Sequence, residues 1–457
     1  MEPLQKTKLF ENDPIPKAVF SLTVPTVISS LVMVLYNLAD TYFVGMLNDP
    51  LQNAAVTLAA PVLLAFNAVN NLFGVGCSSM MSRALGKKDY QTVRRTAAFG
   101  FWCALLCGAL FSLLCTVFRA PLLTLLGARR LTWEPTLGYM KWTVFCGAAP
   151  AILNVVLAHM VRSEGAALHA SVGTMSGCLL NIILDPFFIL PRFLGMGAAG
   201  AGLATFLSNC TACLYFLLLL FAKRKQTFIS LRLRIACFEK GIVFGVFAVG
   251  IPAAIQNLLN VTGMTVLNQF TAGYSESAVA AMGIANKIAM IPMYVAMGIS
   301  QGIMPLISYN YAAQNISRMK KALLFAARLA MLFMGAATAL YFVFSEPLTR
   351  LFIENREVVA YGAAFLRGLC LAQPFLCLDF LAVGVFQACG MGKKALVFAL
   401  LRKLVLEIPA LFILDRLFPL YGLAYAQLCA EAVLACAAVI VLIRLFAKLQ
   451  ATEKPAT

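Results

Sequence analysis

Charged residues are scarce in this chain: Asp, Glu, Lys and Arg make up 12% of the 457 residues, whereas 61% are hydrophobic. A soluble protein of this length must expose many residues to water, so the composition excludes a soluble globular protein. Acidic residues are the rarest charged group, with 19 Asp and Glu against 36 Lys and Arg. Any acid within an apolar segment therefore needs an explanation.

Catalytic and metal-binding motifs are also missing. The chain has two histidines, and it contains no phosphate-binding P-loop, no zinc motif and no nucleophile–base arrangement. Most of its 14 cysteines are scattered through apolar segments, where Cys behaves as a small hydrophobic residue. These absences argue against an enzyme, and we expect neither a cofactor nor a bound structural metal.

The apolar residues form blocks long enough to cross a hydrocarbon core of about 30 Å as helices. We therefore predict an all-α integral membrane protein, with no cleavable signal peptide because its first twenty residues begin with a polar tail. The twelve predicted spans are residues 17–44, 54–81, 96–118, 137–160, 169–190, 199–221, 241–270, 277–307, 324–345, 358–388, 396–414 and 421–443.

The distribution of positive charge predicts the topology. An even number of spans places both termini on one side of the membrane. The two tails and the even-numbered loops hold most of the 36 Lys and Arg residues, and the odd-numbered loops hold seven. By the positive-inside rule both termini are cytoplasmic, and we expect the protein to lie in the inner (cytoplasmic) membrane of the cell. The net charge of +17 is thus assigned to loops beside lipid headgroups and not to nucleic-acid binding.

The two halves of the chain resemble each other. "VPTVISSLVMVLYNLADTYFVG" at 24–45 aligns with "IPAAIQNLLNVTGMTVLNQFTAG" at 251–273 and pairs Pro25 with Pro252. A basic stretch separates the halves, so we predict a six-helix lobe over 1–222, a cytoplasmic linker over 223–240 and a second six-helix lobe over 241–457. Both lobes begin on the same side, which makes this a parallel repeat, a plan found in secondary transporters.

Polar residues inside the first-lobe spans predict an ion site. Asp40 lies one helical turn after Tyr36, and Asp185 lies one turn after Asn181. Both acids fall in the half of the membrane away from the termini, as does Thr205. Intramembrane carboxylates are usually functional, and such a group suits a proton or a small cation. The alternative is that Asp40 caps its helix and Asp185 precedes a turn beginning at Pro186.

The second lobe has less clear candidates. Glu407 lies four residues after Lys403, so a structural ion pair and a coupling role both stay open. Other polar residues of this lobe that could hold an ion or line a cavity are Gln256, Asn260, Lys287 and Asp379.

Four motifs resemble the multidrug and toxic compound extrusion (MATE) family, and most closely its MepA-like bacterial branch: "LYNLADTYFVG", "NLFGVGCSSMMSRALGKKDY", "NIILDPFFI" and "GAGLAT". The resemblance covers essentially the whole chain. It implies two six-helix bundles, alternating access, and export of cationic amphipathic drugs in exchange for inward H⁺ or Na⁺. It also implies a monomer in contact with membrane lipids.

The resemblance implies roles for individual residues. Asp40 matches the family's first-lobe protonation or sodium site, and Pro25 matches a proline at which that helix bends. The residues that fall on the family's first-lobe polar cluster or near it are Tyr36, Asn154, Asn181, Asp185 and Thr205. Family members that couple through the second lobe carry an acid in span seven, at about the position of Asn260 in this chain. Asp379 lies near the family's acid in span ten. We therefore expect coupling through the first lobe.

Two other transport functions are alternatives to this antiport. A lipid-linked precursor flippase of the same broad superfamily would use a cationic cavity, and Lys287, Arg402 and Lys403 keep that alternative open. A major facilitator antiporter is disfavoured because "GKKDYQTVRR" lacks that family's D-R pair.

Overall fold

The computed structural model describes residues 4–452, and within them it contains helices and loops but no strand. The outermost residues of the two predicted tails, 1–3 and 453–457, lie outside the described residues. The α-helices of the first half are α1 (Leu4–Glu11), α2 (Ile15–Gly45), α3 (Pro50–Gly86), α4 (Tyr90–Val117), α5 (Arg119–Leu125), α6 (Trp133–Met140), α7 (Ala148–Ser163), α8 (Ala167–Ile189) and α9 (Ala198–Ala222).

The second half begins with the same order as α2 to α5, three long helices and then a short one, and differs from the first half after that short helix. Its α-helices are α10 (Lys240–Ala272), α11 (Glu276–Ala312), α12 (Ile316–Val343), α13 (Ser345–Arg350), α14 (Arg356–Ala388), α15 (Gly392–Leu400), α16 (Ile408–Leu417) and α17 (Leu423–Thr452). The described residues include two π-helical segments, Lys141–Cys146 between α6 and α7 and Leu401–Glu407 between α15 and α16.

Ten helices of the described chain are long and apolar enough to cross a membrane, and an eleventh span is formed by Trp133–Cys146 and Ala148–Ser163, which meet at 50°. The predicted span 396–414 is not one α-helix, because the π-helical segment interrupts it. At two predicted span boundaries the helix extends eight or more residues further than the span. Helix α12 begins before its apolar stretch, and α17 continues beyond its own.

Side-chain caps fix where several of the long helices begin. At each of these N-termini a side-chain oxygen accepts a backbone N–H from the first turn, which satisfies a donor that the helix itself leaves unpaired. The capping residues are Asp49, Asp89, Ser275, Asn315 and Asn355. The cap at Asn315 explains the early start of α12, since a cap needs a polar residue and not an apolar one.

The turn before α4 and the turn before α12 have the same structure at equivalent positions of the predicted repeat. Lys88 and Gln314 adopt left-handed φ values of 60° and 59°. The next residues, Asp89 and Asn315, each donate their backbone N–H to the carbonyl five residues earlier at 2.9 Å and then cap the following helix. The similarity of the two half-sequences therefore extends to backbone conformation.

Two compact units divide the chain inside helices and not at the basic linker. The first unit contains α1 and residues 28–254, and the second contains residues 12–27 and those from 255 onward. These limits differ from the predicted lobe boundaries at 222 and 241. In both α2 and α10 the change of unit falls two residues after a proline, Pro25 and Pro252.

Tertiary packing explains why the division falls there. In the second unit, Phe20 of α2 makes an edge-to-face contact with Phe325, and a Cβ on Gly302 would lie 2.8 Å from Thr23 Cα. In the first unit, a Cβ on Gly250 of α10 would lie 2.0 Å from the Leu72 carbonyl oxygen. Because these contacts join residues distant in sequence, composition alone could not locate the division.

We predict that Asp89→Ala lowers the stability of the protein by about 1 kcal/mol, because it removes the cap of α4. The Asp89 carboxylate accepts from the Thr92 hydroxyl at 2.6 Å and from the Thr92 N–H at 3.0 Å. The hydroxyl contact, with the backbone bond, lowers the pKa of Asp89 below its usual value. The stabilisation by this cap is therefore complete at neutral pH and is lost as the pH falls through that lowered pKa.

Thermal unfolding in detergent measures the change in stability. Asp89→Asn, which reproduces the natural cap at Asn315, serves as the control, and an equal loss in both variants would contradict the capping account.

Candidate functional site

Two carboxylates of the first unit lie inside helices. Helix α2 continues for five residues beyond Asp40, and α8 continues through Pro186 to Ile189. Asp185 is fully buried. The alternative that Asp40 caps its helix and Asp185 precedes a turn is therefore wrong. The chain is helical on both sides of Pro186, and the Asp185 side chain is buried inside the unit.

Asn181 links α8 to α9. Of the two orientations of its side-chain amide, the one that satisfies its hydrogen bonds has the nitrogen donating to Asp185 Oδ2 at 3.0 Å and the oxygen accepting from the Thr205 backbone N–H at 3.0 Å. The amide atom on the Thr205 side also lies 3.4 Å from Thr205 Oγ1. The structure thus brings together three of the predicted residues, Asn181, Asp185 and Thr205.

Two tyrosines complete this group, which we call the first acid cluster: Tyr36, Asp40, Tyr139, Asn181, Asp185 and Thr205. The Tyr36 hydroxyl hydrogen-bonds with Thr205 and interacts electrostatically with Asp40 and Asp185. Tyr139 of α6 is 4% exposed and interacts electrostatically with Asp40, Tyr36 and Asp185. Sequence reasoning missed Tyr139, because its partners in the cluster lie on the other helices α2 and α8.

Two glycines of the motif "GAGLAT" allow the helices to approach closely enough to form the cluster. A Cβ on Gly200 would lie 2.4 Å from the Phe188 carbonyl oxygen of α8. A Cβ on Gly202 would lie 2.7 Å from the Tyr139 carbonyl oxygen of α6. Because only glycine fits at these distances, α9 packs against both helices and Thr205 reaches Asn181.

Each carboxylate of the first acid cluster has an oxygen with free bonding capacity. Asp40 Oδ1 and Asp185 Oδ1 are buried, and neither has a hydrogen-bond partner among residues 4–452. Leaving a buried carboxylate oxygen unpaired is costly unless a proton or cation neutralises it. No basic side chain is among the groups that interact with these two acids in the described chain. The arrangement is suited to holding a proton or a small monovalent cation.

Other predicted first-lobe residues lie apart from this cluster. Asn154 donates to Asn209 Oδ1 of α9 at 2.9 Å and to carbonyls of its own helix, and no described contact joins it to either acid. Pro25 lies inside the continuous helix α2, and its predicted bend stays a prediction.

A second group of buried charges lies in the second unit, centred on Arg402. Its Nη1 donates to Asp379 Oδ2 at 3.0 Å, its Nη2 donates to Asn260 Oδ1, and its Nε lies 3.9 Å from Glu431 Oε1. We call Arg402, Asp379, Glu431 and Asn260 the Arg402 cluster. Sequence reasoning missed Glu431, which is the single acidic residue of the apolar helix α17 and is fully buried.

The remaining second-lobe candidates are distributed around this cluster. Lys403 Nζ lies 2.7 and 2.6 Å from the two carboxylate oxygens of Glu407, so the structural ion pair considered for Glu407 is present. Gln256 accepts from Gln387 of α14 at 3.2 Å, one turn away from Asn260. Lys287 is exposed and makes no ion pair with the described residues. Of the predicted candidates, only Asp379 and Asn260 contact Arg402 directly.

Both groups adjoin a π-helical segment. Lys141–Cys146 follows α6, which carries Tyr139, and the span bends there by 50°. Leu401–Glu407 carries Arg402, Lys403 and Glu407. A π-helical turn inserts one extra residue and rotates the side chains that follow, and such turns are frequent at functional sites.

A model of the MatE family matches this chain twice, over residues 25–187 and 252–413. The chain belongs to the MATE family. Each match begins at one of the paired prolines, Pro25 and Pro252, so the family unit occurs once in each half of the sequence. The first acid cluster lies almost wholly within residues of the first match, and Thr205 follows it.

Named relatives and solved structures agree with this assignment. The chain is 32% identical over 433 residues to the multidrug export protein MepA of Staphylococcus saprophyticus subsp. saprophyticus and over 436 residues to that of Staphylococcus aureus strain NCTC 8325, with 94% of each chain covered. It is similar to the outward-facing structure of a multidrug resistance MATE family transporter of the MOP superfamily, with a TM-score of 0.92, 27% identity and coverage of 98% and 99% of the two chains.

We predict that Gly202→Ala destabilises the protein by about 1–3 kcal/mol, because a methyl group would overpack the contact between α9 and the Tyr139 carbonyl. The measurement is thermal unfolding in detergent. Gly335→Ala in α12 is the matched control, since its Cβ would meet nothing within 4 Å. That change is expected to be neutral or to stabilise by about 0.5–1 kcal/mol. Equal behaviour of the two variants would contradict the close-packing account.

We predict that Lys403→Met destabilises the protein by about 3–5 kcal/mol, because it leaves the Glu407 carboxylate buried without its counter-ion. The double variant Lys403→Met/Glu407→Leu removes both charges and is expected to recover most of this loss. Apparent melting temperatures of the single and double variants measure the coupling. Additive losses in the double variant would show that the pair does not act as a unit.

Proposed function

We propose that this MATE protein is a secondary active multidrug efflux antiporter, which exports cationic amphipathic compounds in exchange for inward H⁺ or Na⁺. Two relatives across nearly the whole chain are named multidrug export proteins, which supports the drug class. The observation that carries ion coupling is the pair of carboxylates Asp40 and Asp185, each with a buried, unpaired oxygen inside a span.

The chemistry of coupling follows from the charge on this pair. With a proton or Na⁺ bound, the first acid cluster is closer to neutral and can be packed inside the protein. When the ion leaves, an uncompensated buried charge favours a different arrangement of the surrounding helices. A drug is exported if its affinity differs between the two arrangements, and the difference in affinity sets the coupling free energy. Tyr36, Tyr139 and Asn181 position the acids by hydrogen bonds and dipoles.

We also propose a location and an oligomeric state for the protein. The protein is a multi-pass protein of the bacterial cell membrane, with both termini cytoplasmic as the Lys and Arg distribution predicts. It acts as a monomer, with no cofactor apart from the coupling ion and with no catalytic chemistry. Pro25 supplies a point at which α2 bends during the cycle, and Asn154 supports the first lobe through Asn209.

A lipid-linked precursor flippase is the alternative that the buried basic residues had kept open. Two of the three, Arg402 and Lys403, form ion pairs with Asp379 and Glu407 inside the second unit. Their charges are therefore compensated within the protein, which leaves Lys287 as the remaining candidate for an anionic headgroup. The acids of the first acid cluster have no such compensation and favour a cationic cargo.

Ethidium efflux from proteoliposomes tests the proposal, first under an imposed pH gradient and then under a Na⁺ gradient. We expect wild-type transport under one gradient, which identifies the ion. Asp40→Asn and Asp185→Asn are each expected to reduce gradient-driven transport to near background while ethidium binding persists, because they remove the charge that the ion neutralises.

Glu134→Gln is the matched control, since it removes an exposed carboxylate from the same unit. It is expected to transport as the wild type does. Full transport by Asp40→Asn would contradict first-lobe coupling, and absence of ethidium movement in the wild type under either gradient would contradict the antiporter and favour the flippase.

A further inference from the structure

The Arg402 cluster places a guanidinium where oxygen atoms converge. Asp379, Glu431 and Asn260 come from three different helices, α14, α17 and α10, and all direct oxygen atoms at Arg402. Arg402 is 2% exposed, and its guanidinium also lies 5.4 Å from the ring centroid of Phe380. The positive charge is thus fully enclosed by groups of its own chain.

The cluster retains unused acceptor capacity. Both carboxylate oxygens of Glu431 and Asp379 Oδ1 are buried without a hydrogen-bond partner among the described residues. Two acids share one guanidinium, so the cluster carries one surplus negative charge when both acids are ionised. The neighbouring Lys403 and Glu407 neutralise each other and do not change this balance.

The two units therefore treat their buried acids differently. Asp40 and Asp185 interact with tyrosines, an amide and each other, and no basic side chain is among the groups acting on them. Asp379 and Glu431 instead have a permanent cation between them. Carboxylate and amide oxygens are the ligands that hard cations such as Na⁺ prefer, and the guanidinium already holds that position in the second unit.

We infer that Arg402 is a tethered cation that occupies a potential cation site of the second unit and closes it to free Na⁺. The oxygen atoms of Asp379, Glu431 and Asn260 would bind a monovalent cation if the guanidinium were removed. This inference deepens the proposed antiport, because with the second-unit site closed the first acid cluster is the site at which ions exchange. Only this consequence for transport rests on the proposed function. Its test measures binding and does not require transport.

Binding of radiolabelled Na⁺ to the purified, detergent-solubilised full chain tests the inference. The background is Asp40→Asn/Asp185→Asn, which removes the acids of the first acid cluster. With Arg402 intact, this protein is expected to show no saturable Na⁺ binding. Adding Arg402→Gln is expected to create saturable binding of one Na⁺ per chain, and further addition of Glu431→Gln is expected to abolish it.

Arg402→Lys keeps a positive charge at this position and is the matched control, with no Na⁺ binding expected. Monodispersity and a cooperative thermal transition establish that each variant is folded. Folded Arg402→Gln protein that binds no Na⁺ would overturn the inference.

If Arg402→Gln does not fold, the inference is tested by comparing Na⁺ binding of the Asp40→Asn/Asp185→Asn protein with and without Glu431→Gln. In this comparison the Asp40→Asn/Asp185→Asn protein keeps Arg402 intact. If it still shows saturable Na⁺ binding, and if adding Glu431→Gln removes that binding, an open site exists beside Arg402. That result would overturn the inference. Loss of all saturable binding in that protein supports it. Failure of drug transport with these binding results unchanged would count against the antiporter alone.

Discussion

The desolvation of carboxylates inside membrane-spanning helices is the constraint on which the rest of this structure depends. An acid at the centre of a span costs about 3 kcal/mol or more, so each one needs neighbours that reduce this cost. In the first unit those neighbours are dipoles: the Asn181 amide donates to Asp185, and the hydroxyl of Tyr36 reaches Thr205. Close packing at Gly200 and Gly202 makes these contacts geometrically available. Dipoles lower the cost without cancelling the charge, which leaves the acids responsive to an ion.

The second unit meets the same constraint with fixed charge. Arg402 and Lys403 lie within bonding distance of Asp379 and Glu407, and such pairs depend on both partners being present. Asp379 and Glu407 therefore lie beside basic side chains of their own unit, whereas Asp40 and Asp185 do not within residues 4–452. In this account the first acid cluster exchanges ions with the solution, and the paired charges of the second unit remain fixed.

Local patterns in the sequence predicted what local geometry decides. Asn181 and Asp185 are one helical turn apart in sequence, and the Asn181 amide donates a hydrogen bond to Asp185. The similar stretches that include Pro25 and Pro252 indicated the repeat, and the family match begins at each of these prolines. Tyr139 and Glu431 could not be found in this way, because their partners lie on other helices. The π-helical segments and the division of α2 between two units were also missed, since both depend on tertiary packing that hydrophobic periodicity does not encode.

The most direct test of the central claim is the ion released when drug binds to purified protein in weakly buffered detergent solution. If the buried acids of the first acid cluster link the two ligands, ethidium binding at neutral pH releases protons or bound Na⁺ from the wild type, and Asp40→Asn binds ethidium without that release. Equal release from wild type and Asp40→Asn would contradict the claim that this carboxylate couples ion to drug.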